Sequence, residues 1–235
     1  MNRRTFLKTV PALTLLAAAE TGLTQDPNTD ANSTPQLQTP IQADEVIKLN
    51  PPDLNGGISL MQALKKRKTE RNISDKKLTL QQLSDLLWAA DGVNRPDGKR
   101  TSPAAMALYA VDIYVVLPEG VYLYDVAKHQ LNLVAKGDYR KISGMQDFVF
   151  IAPVNLVYVF NMKAWQNSKR PVPAEKRDRW VHYEVGFISQ NVSLYCASAG
   201  LGTTVRGMFD EKKLGELIKV PPQDIALTQT VGWPK

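Results

Sequence analysis

The chain has 235 residues, a formal charge of +6 and one cysteine. Arg3, Arg4 and Lys8 lie in the first 19 residues, which hold no acid; removing those three charges from +6 leaves +3. So small a surplus argues against a general nucleic-acid or anionic-membrane binder, and one cysteine rules out an intrachain disulfide.

"NRRTFLK" at residues 2–8 leads into an apolar run at 9–19. That run is too short to cross a bilayer and suits the centre of a signal peptide. Paired arginines before it and the A-x-A-like Ala17-Ala18-Ala19 after it predict a twin-arginine export signal over 1–19, handled by the twin-arginine machinery, with retention as a membrane anchor the alternative to cleavage. No cysteine follows the run, so lipid anchoring there is excluded. Residues 20–57 are polar and rich in Pro, Asn, Thr and Asp, and read as an arm of low burial. The remaining residues, 58–235, suit one domain.

Within it, 58–71 predicts a short amphipathic helix running into a cationic end, "KKRKTER". Residues 78–92, "LTLQQLSDLLWAADG", predict a helix with a Thr79/Gln82 capping box and an apolar stripe at Leu80, Leu83, Leu87 and Ala90. Gly92 is its stop. Residues 91–103 are turn-rich and basic. Strands follow at 112–117, 120–126 and 130–135, then an apolar strand at 154–161 that suits burial on both faces. Residues 167–179 read as a charged loop. A long helix spans 180–201, a short one follows with Asp210 as N-cap, and a last strand precedes "WPK". Mixed elements without regular alternation predict the α+β class.

Most catalytic signatures are missing: there is no G-x-S-x-G, H-E-x-x-H, phosphate-binding loop or C-x-x-C. Ser74 to Lys77 fits S-x-x-K, but its companion motifs are absent. "GLGTTVRG" lacks a dinucleotide-binding spacing and follows a helix. His129 sits between strands and reads as exposed. His182 is two residues from Glu184, a spacing that places them on different helix faces. No metal site is expected. Chemistry here would rest on a bound cofactor.

Several segments, in order over 58–234, resemble the nitroreductase-type flavoprotein family, and most closely its SagB-type dehydrogenase branch. "KRKTER" resembles an R-R-S-x-R signature. "LLWAADGVNRPDGKRTSPAAM" is similar to L-L-W-A-A-x-G followed by R-T-x-P-S-A-G. "VYLYDVAKHQL" resembles a branch hairpin, and "GFISQNVSLYCASAGLGTTVRGMFD" resembles the long helix and the G-x-F-D turn. The resemblance implies a nitroreductase-like fold, with a mostly antiparallel sheet flanked by helices and the long helix central to a homodimer interface. It implies FMN as cofactor. Arg67, Lys68 and Thr69 would hold its phosphate and ribityl chain, with Arg71 beside them. Arg100, Ser102, Pro103 and Ala104 match the P-S-A-G region imperfectly. Gln190 lies on the long helix. Val205, Arg206 and Gly207 match the place where a backbone N–H meets flavin N5.

Two departures stand out. The family's C-terminal base is replaced by Lys235 or Arg206, and the Lys-Tyr pair of azoline-oxidising relatives is absent. The expectation is an exported FMN oxidoreductase, in the periplasm, acting on a small organic molecule with a redox protein or quinone as partner. The alternative is a nitroreductase-like binding module that has lost its flavin.

Overall fold

The computed structural model describes residues 44–235; the predicted signal and the arm up to residue 43 lie outside them. The chain opens with strand β1 (Val46–Lys48) and helix α1 (Leu60–Lys66). Helix α2 (Leu80–Asp91) begins with the predicted capping box: Thr79 accepts from the Gln82 N–H, and Gln82 accepts from the Thr79 N–H. Strands β2 (Val111–Leu117), β3 (Gly120–Asp125) and β4 (Gln130–Lys136) follow. After the short helix α3 (Asp147–Ile151) come β5 (Val154–Phe160), the long helix α4 (Ala174–Ala199) and β6 (Gly202–Arg206). Helix α5 (Glu211–Ile218) and strand β7 (Ile225–Gly232) complete the chain.

All seven strands join one sheet in the order β1-β4-β3-β2-β5-β7-β6, and every named pair is antiparallel. Side chains alternate across a strand, so β2 and β5, central and covered twice, are apolar at nearly every position. Ile113, Val115, Leu156 and Tyr158 face one layer with Leu83, Leu86 and Leu87 of α2 and Val185, Ile188 and Val192 of α4. Tyr114, Val116, Val157 and Val159 face the other, where α5 contributes Leu214 and Ile218. Each fully buried leucine in these layers stabilises the fold by about 2 kcal/mol relative to leaving it exposed.

Three expectations are corrected. The arm of low burial includes a strand: Ile47 and Leu49 are buried, and β1 extends the sheet beside β4. The loop read at 167–179 gives way to helix at Ala174, directly after Pro173; the missing N–H of that proline costs a helix start nothing. Residues 202–206, where a loop is expected after the long helix, form edge strand β6. The long helix ends as expected, with Gly200 in the left-handed conformation at φ 72°.

Candidate flavin-binding site

The cationic turn and edge strand β6 meet. Thr69 forms a bridge with Thr203, the Glu70 N–H donates to the Thr203 carbonyl (2.9 Å), and the Thr204 hydroxyl donates to the Glu70 carbonyl (2.5 Å). An antiparallel ladder turns alternate residues outward. Thr203 faces out, so the backbone of Val205, two residues on, faces out as well, away from β7. Gly202 lies so close to this turn that a Cβ there would meet the side chains of Glu70 and Ile73 at under 3 Å. Around Gly207 there is open space.

Arg67, Lys68, Thr69 and Arg71 are all exposed here, and Lys68 pairs with Glu70 at 2.9 Å. The chain terminus is pinned alongside: the Lys235 N–H donates to the Asn72 carbonyl at 2.8 Å. Lys66 and Lys68 border a cleft of about 240 Å³, whose inner wall includes Ser193, Cys196, Gly202 and Thr203. Pockets that enclose a whole ligand usually measure roughly 300–1,000 Å³. This cleft therefore provides part of a wall. A larger hollow of about 430 Å³ lies elsewhere, between Pro51–Leu54 and Trp88. His129 lines it, but none of the residues matched to a flavin site does.

Beneath the cleft, the buried Gln229 amide donates to the Ser189 carbonyl, Ser193 Oγ and Thr203 Oγ1, and its oxygen accepts from Tyr158. This network ties α4 to β6 and β7 without a charge. Burial pushes the Cys196 thiol far up, so it stays protonated and unreactive.

Arg100 and Ser102 lie elsewhere along α4. Arg100 Nη1 sits 2.5 Å from Asp91 Oδ2, and the Ser102 hydroxyl donates to the other carboxylate oxygen. Burial pushes Asp91 up to about 6, against the pull of Arg100. Glu184 of α4 is buried with one carboxyl oxygen unpartnered, and burial, then the nearby Asp91, pushes it up to about 7. Pro103 is exposed and Ala104 half-buried. Just beyond them Met106, Ala107 and Tyr109 all hold positive φ values, 56°, 53° and 51°. Three strained non-glycine residues in so short a stretch mark a segment held by its surroundings. Glu184 and the cleft residue Ala197 are 13 residues apart on α4, roughly 20 Å at the helical rise. One protomer thus keeps the two sets of predicted residues apart. Gln190, on the helix between them, is exposed.

Arg206 is the main correction. Its guanidinium cannot serve as a substitute phosphate base because it points into the protein, bonded to the Ser143 carbonyl and Asn155 Oδ1. Its backbone faces β7, where the Thr228 hydroxyl donates to its carbonyl at 3.5 Å. His129, read as exposed, is half-buried, with its ring held by Tyr124 Oη (2.8 Å) and the Asn50 carbonyl (3.0 Å). His182 is exposed and Glu184 buried, as their spacing predicts.

The family model "Nitroreductase family" matches residues 64–233. The chain belongs to the nitroreductase family. A protein of Methanocaldococcus jannaschii assigned as a nitroreductase is 33% identical over 193 residues, covering 78% of this chain and 95% of that one. A crystal structure from Ralstonia eutropha JMP134 with the same assignment superposes with a TM-score of 0.75 at 40% identity, covering 82% of this chain and 91% of that one. A family structure from Desulfovibrio desulfuricans, solved in complex with FMN, shares the fold at TM-score 0.52 and 16% identity, covering 75% and 87% of the two chains.

The residues present fit a flavin mononucleotide in kind. The turn offers several cations and a hydroxyl to a phosphate and a polyol. The strand edge offers an outward backbone, and the glycines let a flat ring come close.

Proposed function

We propose that this chain is an FMN-dependent oxidoreductase that moves hydride or electrons to or from a small organic substrate. The observation that carries the reading is the junction of the 66–71 cationic turn with the outward backbone of β6 across a glycine-lined cleft. FMN, when bound, supplies the two-electron chemistry. The protein's residues bind and orient it: Arg67, Lys68 and Lys235 neutralise the phosphate, Thr69 holds the ribityl chain, and Arg71 adds charge beside them. A backbone N–H within Val205–Gly207 stabilises negative charge at the ring.

The reading includes a second copy of the chain. The cleft is too small for the whole cofactor, and Arg100, Ser102, Pro103 and Ala104 are not among the residues that line it. Leu60, Met61 and Leu64 of α1 and Tyr183 and Phe187 of α4 are exposed, an apolar surface that suits a homodimer partner. In such a dimer, the 100–104 segment and Gln190 of one protomer would complete the site of the other.

The motifs place the chain nearest the SagB-type branch, but without the Lys-Tyr pair azoline oxidation is not its expected reaction. The twin-arginine-like stretch at 2–8 supports a periplasmic location, with cofactor loaded before export. A redox protein or quinone then replaces a nicotinamide as electron partner.

Protein purified from a periplasmic fraction should be yellow, release FMN on denaturation and bleach with dithionite. The double variant Arg67→Ala/Lys68→Ala should bind FMN about 100-fold more weakly, the loss expected for two charge-assisted contacts. A colourless protein that ignores added FMN would favour the flavin-lost binding module.

A further inference from the structure

Arg206 is a buried cation with no counter-ion. It is 5% exposed. Nη1 donates to the Ser143 carbonyl at 2.6 Å, Nη2 to Asn155 Oδ1 at 3.2 Å, and Nε has no partner. Every acceptor is neutral. Acids on neighbouring segments are engaged with other cations: Asp138 with Arg140, and Asp210 with Lys213. Among the described residues Arg206 forms no ion pair.

The surroundings are shaped to keep it there. A Cβ on Gly144 would collide with the guanidinium. Asn155 is held at both ends, donating to the Val149 carbonyl and accepting from Thr230 Oγ1 at 2.6 Å. Burying an uncompensated charge is costly. Desolvation pulls this guanidinium down to about 10, which leaves it charged at neutral pH. A tie between strand and loop alone could be made by a neutral amide.

We propose that Arg206 is a fixed positive charge beneath the cofactor edge that raises the reduction potential of the flavin. The proposal rests on the reading that FMN lies against Val205–Gly207. Its guanidinium then sits one side chain's length behind the strand that meets the ring. Oxidised FMN taking up two electrons and one proton gains one net negative charge. A cation in a medium of low effective dielectric, screened by no carboxylate, favours that state over the oxidised one. Arg206 thus acts at a distance, from a strand whose neighbouring residue, Val205, turns its backbone outward.

The test is the midpoint potential of the FMN-loaded protein at one fixed pH. Electrons come from xanthine through xanthine oxidase, read against a reference dye. Arg206→Met removes the charge. Asn155→Asp keeps the arginine and sets a carboxylate against it. Both should lower the preference for reduced over oxidised FMN about tenfold, a fall of about 30 mV for a two-electron couple. Arg206→Lys should hold the parent value. If Arg206→Met fails to fold, Asn155→Asp carries the test alone. Variants that load FMN normally and keep the parent potential overturn the role of Arg206 and leave the flavin reading intact. A parent protein that takes up no FMN overturns both.

Discussion

The two ends of the Glu184–Ser193 stretch of helix α4 solve the problem of buried polarity in opposite ways. Near Glu184 the helix faces carboxylates: Asp91, clamped by Arg100 and Ser102, and Glu184 itself, each held well above its usual range by burial. Near Ser193 it faces only amides and hydroxyls, with Gln229 bonded to Ser189, Ser193, Thr203 and Tyr158. The charged end is sensitive to protons and the neutral end is not. The carboxylate that lines the cleft at the neutral end, Glu70, is paired with Lys68. The cationic turn borders the neutral end.

Removing the cation from the charged end should cost most. Arg100→Leu leaves Asp91 buried without its partner and should lower unfolding free energy by about 3–5 kcal/mol, measured by urea titration at pH 8. The loss should shrink at pH 5, where Asp91 can take up a proton. A loss equal at both pH values would break the contrast.

At the neutral end, Gln229→Leu strands the Tyr158 hydroxyl, while the hydroxyls of Ser193 and Thr203 keep their own bonds to the Ser189 and Thr230 carbonyls. It should cost about 2 kcal/mol, the scale of unsatisfied buried groups. That cost should be the same from pH 5 to pH 8, because none of these groups titrates in the range.

The smallest effect sharpens the charged end further. Glu184 is raised from an ordinary 4.5 to about 7. Folding therefore favours its protonated form. Its stabilising contribution is complete below pH 4.5 and is lost as pH rises through 7. Glu184→Gln should match the parent at pH 5 and be the more stable of the two at pH 8, by differential scanning calorimetry. Some pH dependence should persist from Asp91, which behaves the same way around pH 6.

Much of the fold was readable where periodicity is strong. The 3.6-residue stripe of Leu80, Leu83, Leu87 and Ala90, the capping box and the unbroken apolar run of β5 each point to one structure. β6 was hidden because "GTTVR" offers two threonines, a glycine and an arginine, and its strand character comes from pairing with β7. β1 was hidden because only Ile47 of its three residues is buried. The cationic turn was legible as charge, but its union with β6 depends on contacts some 130 residues apart in sequence. Arg206 could not be read as interior. A lone arginine in a polar stretch looks like surface, and the neutral groups that accept it come from Ser143 and Asn155, far away in the chain.

The sheet order carries a practical consequence. The described chain enters through β1 at one border of the sheet, and β6, the edge proposed to meet a flavin, is the opposite border. Six strand spacings, roughly 30 Å, separate them. A label placed on β1, at the exposed Val46 or Lys48, therefore sits on the border of the sheet away from β6. Such a probe would report on the sheet while leaving the β6 edge uncovered.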